Sequence, residues 1–169
     1  MMQARTLIPA LLALAFTSVA ASAQTPALIS QHNAWATYSY GGAKGKVCYA
    51  LSKPTKLAPT DRNHGDVFFF VSNRPGENVA NEPSVIVGYS FREGSSVALD
   101  VDGKKFVMFT NNDGAWVRNA AQERELVAAM KAGRELVVSG VSARGTQTTY
   151  TFSLSGVTAA IGAADTACR

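Results

Sequence analysis

The sequence predicts a mainly β, sandwich-like single domain that carries two short helices. Three observations carry this expectation. Short segments rich in Val, Thr and aromatic residues recur with turns between them, Asp102-Gly103 sits between two apolar segments, and helical spacing of apolar residues is confined to two stretches, 119–133 and 155–168. The stretch from Gln24 to Arg169 is long enough for one core and short for two, and it shows no linker, repeat or second long apolar span.

The strands are read in order. Ala34 to Tyr40 alternates aromatic and small residues, and Lys46 to Leu51 carries Cys48. Val67 to Val71 is a continuous apolar run containing Phe68, Phe69 and Phe70, the pattern of a central strand buried on both faces. Val85, Val87, Tyr89 and Phe91 share one face of a period-2 segment. Val97 to Val101 and Lys104 to Phe109 flank Asp102-Gly103, the hairpin signal of a type I′ turn, which needs positive φ at both central positions. Leu136 to Ala143 and Thr148 to Leu154 form a second hairpin around Arg144-Gly145. The total is about seven or eight short strands, the pattern of a sandwich or barrel.

Two segments break the rhythm. Asn119 is placed to cap a helix, with Gln122 at the position of a capping box. Leu126, Val127 and Met130 then share a face, and Gly133 supplies the stop. The second helix begins near Ser155 and aligns Val157, Ala160, Ile161, Ala164 and Cys168 on one stripe.

Residues 1–23 read as a cleavable secretory signal: Arg5, an apolar run from Leu7 to Val19, and Ala21-Ser22-Ala23 as the cleavage site, which leaves Gln24 as the new N-terminus. The run is shorter than the roughly 20 residues a spanning helix requires. Export makes a disulfide between Cys48 and Cys168 the expected state of the two cysteines, and one that pins the terminal helix to an early strand. The whole chain has a formal charge of +4, a modest excess that attracts anionic partners weakly. The charges are scattered, so nucleic acid is not an expected partner.

No constellation of residues spells out a reaction. His32 is assigned to a loose N-terminal segment. His64 lies in the polar turn Asp61-Arg62-Asn63-His64-Gly65-Asp66, and is a turn histidine in the preferred reading. The alternative is an enzyme using His64 with Asp61 or Asp66, but no G-x-S-x-G elbow or other hydrolase signature supplies a nucleophile. The same three residues are a weak candidate metal set. Gly41-Gly42-Ala43-Lys44-Gly45-Lys46 departs from a phosphate loop in spacing, in Val47 where Ser or Thr would bind magnesium, and in the lack of a following helix, so it is read as a turn. No cofactor is expected. Trp35 and Trp116 are read first as core residues; Trp116 and Arg144 are the candidate partner contacts, because aromatic and Arg side chains dominate interface hot spots.

Taken in order, Trp35, Cys48, Arg74-Pro75, Gly88-Tyr89-Ser90-Phe91, Ala115-Trp116, the run from Glu125 to Gly133, Ser139 to Thr146, Tyr150, Ser153 to Gly156 and Cys168 resemble the invasion-associated locus B family. The likeness spans essentially all of 24–169, and its most specific part lies in the C-terminal half. Thr149 and Thr151 depart from it, standing where an acidic residue and a serine are usual. The resemblance implies an exported alphaproteobacterial protein, periplasmic or associated with the outer membrane, with a sandwich-like fold and no established catalytic residues. It also implies a binding or structural role toward an envelope or host-surface protein or glycan, linked in pathogenic members to invasion of host cells.

Overall fold

The computed structural model describes residues 25–169. Residues 1–23 and the cleavage site at Ala23 and Gln24 lie outside them. The chain runs through β1 (Ala27–His32), β2 (Trp35–Gly42), β3 (Gly45–Ser52), β4 (Lys56–Ala58), β5 (Phe68–Arg74), a 3-10 turn at Pro75–Glu77, β6 (Val79–Ile86), β7 (Ser96–Val101), β8 (Lys104–Asn111), β9 (Gly114–Trp116), α1 (Ala120–Ala132), β10 (Glu135–Val141), β11 (Gln147–Ser153) and α2 (Val157–Ala167). No helix among the described residues is long and apolar enough to cross a membrane.

All eleven strands belong to one antiparallel row, ordered β1-β2-β3-β5-β6-β9-β8-β7-β10-β11-β4. The row folds back on itself. The indole N–H of Trp35 on β2 donates to the carbonyl of Ser153 on β11 at 2.9 Å, and Phe69 on β5 meets Phe152 on β11 edge to face at 5.8 Å. The two halves thus enclose one core, the arrangement of a β-sandwich. Both helices help to cover it: α2 lies against β1, β2 and β3, and α1 against β6.

The hairpin expectations follow the turn chemistry. Asp102 and Gly103 both have positive φ, 46° and 98°, and join β7 to β8 in unbroken register. The glycine-rich stretch is the β2–β3 hairpin, closing at the Gly42–Gly45 pair. Asn119 caps α1 by accepting from the Gln122 N–H at 3.0 Å, while the Gln122 side chain returns to the Asn119 amide group rather than to its backbone.

Several expectations are corrected. The Phe run is not buried on both faces. Phe69 and Val71 point into the core, whereas Phe68 and Phe70 are half-buried on the outer face, beside a stacked Tyr38–Tyr49 pair and under the Lys53 ammonium. Aromatic neighbours on an open sheet face explain the apolar composition without a covering layer. His32 is not in a loose segment: it lies in β1, opposite Trp35, with its Nε2 3.0 Å from the Ser30 hydroxyl. This edge strand is held by its ladder with β2 and buries little, so it has no hydrophobic alternation to read. The strand expected over Val85 to Phe91 ends instead at Ile86 and begins earlier, at Val79, where Asn81, Glu82 and Pro83 hide it; Asn81 takes positive φ and the β5–β6 register shifts near Arg74. Gly133 stops α1 in an extended conformation, φ −89°, not the left-handed one of the usual glycine stop. What requires glycine is space, since a Cβ there would stand 2.7 Å from Val101 Cγ1.

The expected disulfide is present: Cys48 and Cys168 are bonded, with Cα atoms 5.8 Å apart. It holds the end of α2 on β3. The Thr37 hydroxyl donates to the Ala160 carbonyl at 3.0 Å, and the Asn73 amide to the Asp165 carboxylate at 2.9 Å, so the same helix is also secured along its length.

Candidate functional site

Three segments distant in sequence meet at one end of the sandwich: the loop from β4 to β5, the stretch after β6, and the β10–β11 turn. They enclose a cleft of about 710 Å³ lined by Asp61, Arg62, Asn63 and His64 on one wall, Gly88, Tyr89 and Ser90 beneath, and Ser142, Ala143, Arg144, Thr146 and Thr148 on the other.

Backbone hydrogen bonds set the walls. Gly88 N–H donates to the His64 carbonyl at 3.2 Å, and the two chains approach so closely that a Cβ on Gly88 would lie 2.5 Å from the Gly65 Cα. On the other side Ala143 N–H donates to the Ser90 carbonyl at 2.8 Å and Arg92 N–H to the Val141 carbonyl at 2.9 Å. The Ser142 hydroxyl accepts from Thr146 N–H at 3.1 Å and tightens the turn that presents Arg144.

Below the cleft runs a chain of side-chain hydrogen bonds. His64 is 7% exposed, and its Nε2 lies 2.8 Å from the Pro59 carbonyl, which only accepts, so Nε2 carries a hydrogen. Its Nδ1 lies 2.8 Å from the Tyr150 hydroxyl, which lies 2.9 Å from that of Tyr89; the Tyr89 oxygen is in turn 2.6 Å from Thr148 Oγ1. The Tyr150 hydroxyl donates to the Tyr89 oxygen, and the Thr148 hydroxyl donates to the Gly140 carbonyl at 3.3 Å, which leaves Thr148 to accept from Tyr89. Burial, followed by the contact with Tyr89, pushes the Tyr150 pKa well above its ordinary value.

The sequence candidates are now placed. His64 is buried and hydrogen-bonded, not an exposed turn residue. It does not pair with Asp61 or Asp66: Asp61 lies 3.6 Å from the Arg62 guanidinium and Asp66 lies 3.8 Å from Lys53. The reason is the turn itself, which aims the imidazole inward at Tyr150 while the carboxylates stay in water. Arg144 lies at the cleft. Trp116 does not; it is half-buried on the face of β9, with its ring over Gly114 and tilted against Phe109 at 6.2 Å. Trp35 is fully buried, as a core residue. Sequence reasoning missed Arg62, Tyr89 and Thr148 as site residues. The Arg92 guanidinium crosses the turn, 3.1 Å from where a Cβ on Gly145 would stand. Besides His64, Asp61 and Arg144, the runs carrying the resemblance also reach this region, since Gly88-Tyr89-Ser90, Ser142 to Thr146 and Tyr150 converge here.

Comparison with known proteins agrees with that resemblance. The family model described as Invasion associated locus B (IalB) protein matches residues 35–165. Among solved structures, the chain is similar to the crystal structure of invasion associated protein B from Bartonella henselae, with a TM-score of 0.56 and 18% sequence identity over 82% of this chain and 96% of that one. A search of curated proteins gives no match. At that identity the structural likeness speaks for the fold.

Proposed function

The chain belongs to the invasion-associated locus B family, and on that premise we propose that it is an exported protein of the bacterial envelope which binds a ligand in the cleft beside Arg144 without transforming it. It resides in the periplasm, free or associated with the outer membrane. The Cys48–Cys168 disulfide supports export, because such bonds persist in oxidising compartments, and so does the signal-like pattern of residues 1–23.

The observation that carries binding over catalysis is the state of His64. Both ring nitrogens are engaged, with Pro59 and Tyr150, and the neighbouring carboxylates serve Arg62 and Lys53. To act as a general base this imidazole would have to break a buried hydrogen bond, at a cost of about 1–3 kcal/mol for the group left unpaired. The cleft's hydroxyl, amide and guanidinium groups are instead suited to holding a polar molecule. A role in contact with a host cell is one use of such a module, and a role within the envelope is the more general one.

The test is photo-cross-linking in the native envelope from a probe placed at Ala143, which lines the cleft, with Trp116 as the comparison position. Cross-links from 143 are the expected result. Turnover of a small substrate that disappears in His64→Gln with thermal stability unchanged would overturn the reading.

A further inference from the structure

We infer that the cleft takes an acidic oligosaccharide whose carboxylate is gripped by Arg144, with Arg62 on the opposite wall; the inference rests on the reading of this cleft as the binding site.

The charge pattern is the first support. Arg144 lines the cleft at the β10–β11 turn, and Arg92, outside the lining, brings its Nη2 to 3.1 Å from where a Cβ on Gly145 would stand; both are exposed, and neither enters an ion pair among the described residues. Arg62, 3.6 Å from Asp61, is the second guanidinium in the lining, and Asp61 is its one carboxylate. The unpaired guanidinium of Arg144 at a concave site fits a carboxylate, which it binds through two parallel hydrogen bonds.

The rest of the lining selects the body of the ligand. Small-molecule pockets are usually lined by apolar side chains, but here Asn63, Ser90, Ser142, Thr146 and Thr148 supply hydroxyl and amide groups that both donate and accept. A sugar ring, with a hydroxyl at nearly every carbon, pairs with such a surface. One common way for an extended peptide to bind is to add to a free strand edge. β11 is paired on both sides, by β10 and β4, and the backbone beside the cleft is already committed through Ala143 to Ser90 and Arg92 to Val141. The volume of about 710 Å³ has room for a short oligomer rather than one ring.

The hydrogen-bond chain gives the site a rigid floor. Thr148 and Tyr89 line the cleft while His64, Tyr150 and Pro59 fix them from below, so hydroxyl positions are set before the ligand arrives. Such preorganisation lowers the ordering cost of binding.

The experiment uses the disulfide-bonded chain and three probes, trigalacturonate, its methyl ester and triglutamate, followed by calorimetry and by amide chemical shifts. Trigalacturonate is expected to bind with shifts at residues 61–64, 88–92 and 142–148. Its affinity should fall about tenfold or more in Arg144→Gln, the loss of one charge-assisted contact, and stay unchanged in Trp116→Ala. The ester should bind at least tenfold more weakly. Equal binding of acid and ester would overturn the recognition of charge, and triglutamate binding as tightly as trigalacturonate would overturn the saccharide class while leaving the cleft as the binding site. Binding of none of the three would overturn this inference alone. The cleft reading itself fails if cross-linking to envelope components is unchanged in an Arg62→Gln, Arg144→Gln double variant.

Discussion

The His64 and Tyr150 side chains meet nitrogen to oxygen at 2.8 Å, with their rings crossed at 81°. Tyr150 is only 1% exposed, so this contact joins the β4–β5 loop to the middle of β11 beneath the candidate site. A residue that looks like surface turn chemistry in the sequence is a buried strut.

His64→Ala is therefore expected to be costly to the fold. It leaves the Pro59 carbonyl and the Tyr150 hydroxyl without their partner, and it opens a cavity. A loss of about 2–3 kcal/mol in urea unfolding is expected. Tyr150→Phe, which keeps the ring, should cost about 1 kcal/mol. Chemical denaturation of the two variants checks the difference.

Alkaline stability follows from the same hydroxyl. Tyr150 has a folded pKa raised by burial above its unfolded value near 10. Its contribution is fully present below pH 10 and is lost as pH rises, because above that point the unfolded chain releases a proton which the folded chain keeps. The slope contributed is about 1.4 kcal/mol per pH unit for one proton. Unfolding curves between pH 9 and 11 should show the decline, and Tyr150→Phe should make it shallower.

Gly88→Ala tests the geometry of the cleft. The added methyl would meet the His64 carbonyl oxygen at 2.6 Å and the Gly65 Cα at 2.5 Å, both backbone atoms that cannot rotate away. A destabilisation of about 1–3 kcal/mol is expected. Thermal unfolding reads it, and amide shifts should move along 61–66 as the wall is displaced.

The Phe run offers a comparison between neighbours. Phe69→Ala removes a fully buried ring packed on Trp35 and Phe152, and should cost about 3–5 kcal/mol. Phe68→Ala, on the half-exposed outer face, should cost about 1 kcal/mol or less. Equal losses would contradict the one-sided burial of β5.

Reduction of the disulfide, or Cys168→Ser, should lower stability by about 2–5 kcal/mol. Hydrogen exchange should rise first in the amides of α2, whose C-terminal end then depends on Asn73 and on packing alone.

Much of this fold can be read in the sequence where local chemistry decides it. Asp102-Gly103 dictates its own turn, Asn119 its own cap, and the spacing of Val157, Ala160, Ile161 and Ala164 its own buried stripe. The misses occur where tertiary context decides. β1 has little burial to report, β6 conceals a strand behind Asn81 and Pro83, and Gly133 is needed for Val101 rather than for its torsion. The cleft is less legible still. Arg62, Tyr89 and Thr148 gain significance only once the long-range pairings bring their segments together, and no local pattern encodes that meeting.

The bond between Cys48 and Cys168 also constrains how the molecule can go wrong. The chain is made from its N-terminus, so the first thiol waits for 120 further residues before its partner exists. With two cysteines in the sequence, no rival connectivity is available inside one molecule. A thiol that oxidises too early must capture a stranger. Faulty oxidation therefore yields covalent dimers and mixed disulfides rather than scrambled monomers, and a non-reducing gel separates the covalent dimers from the finished monomer by mass.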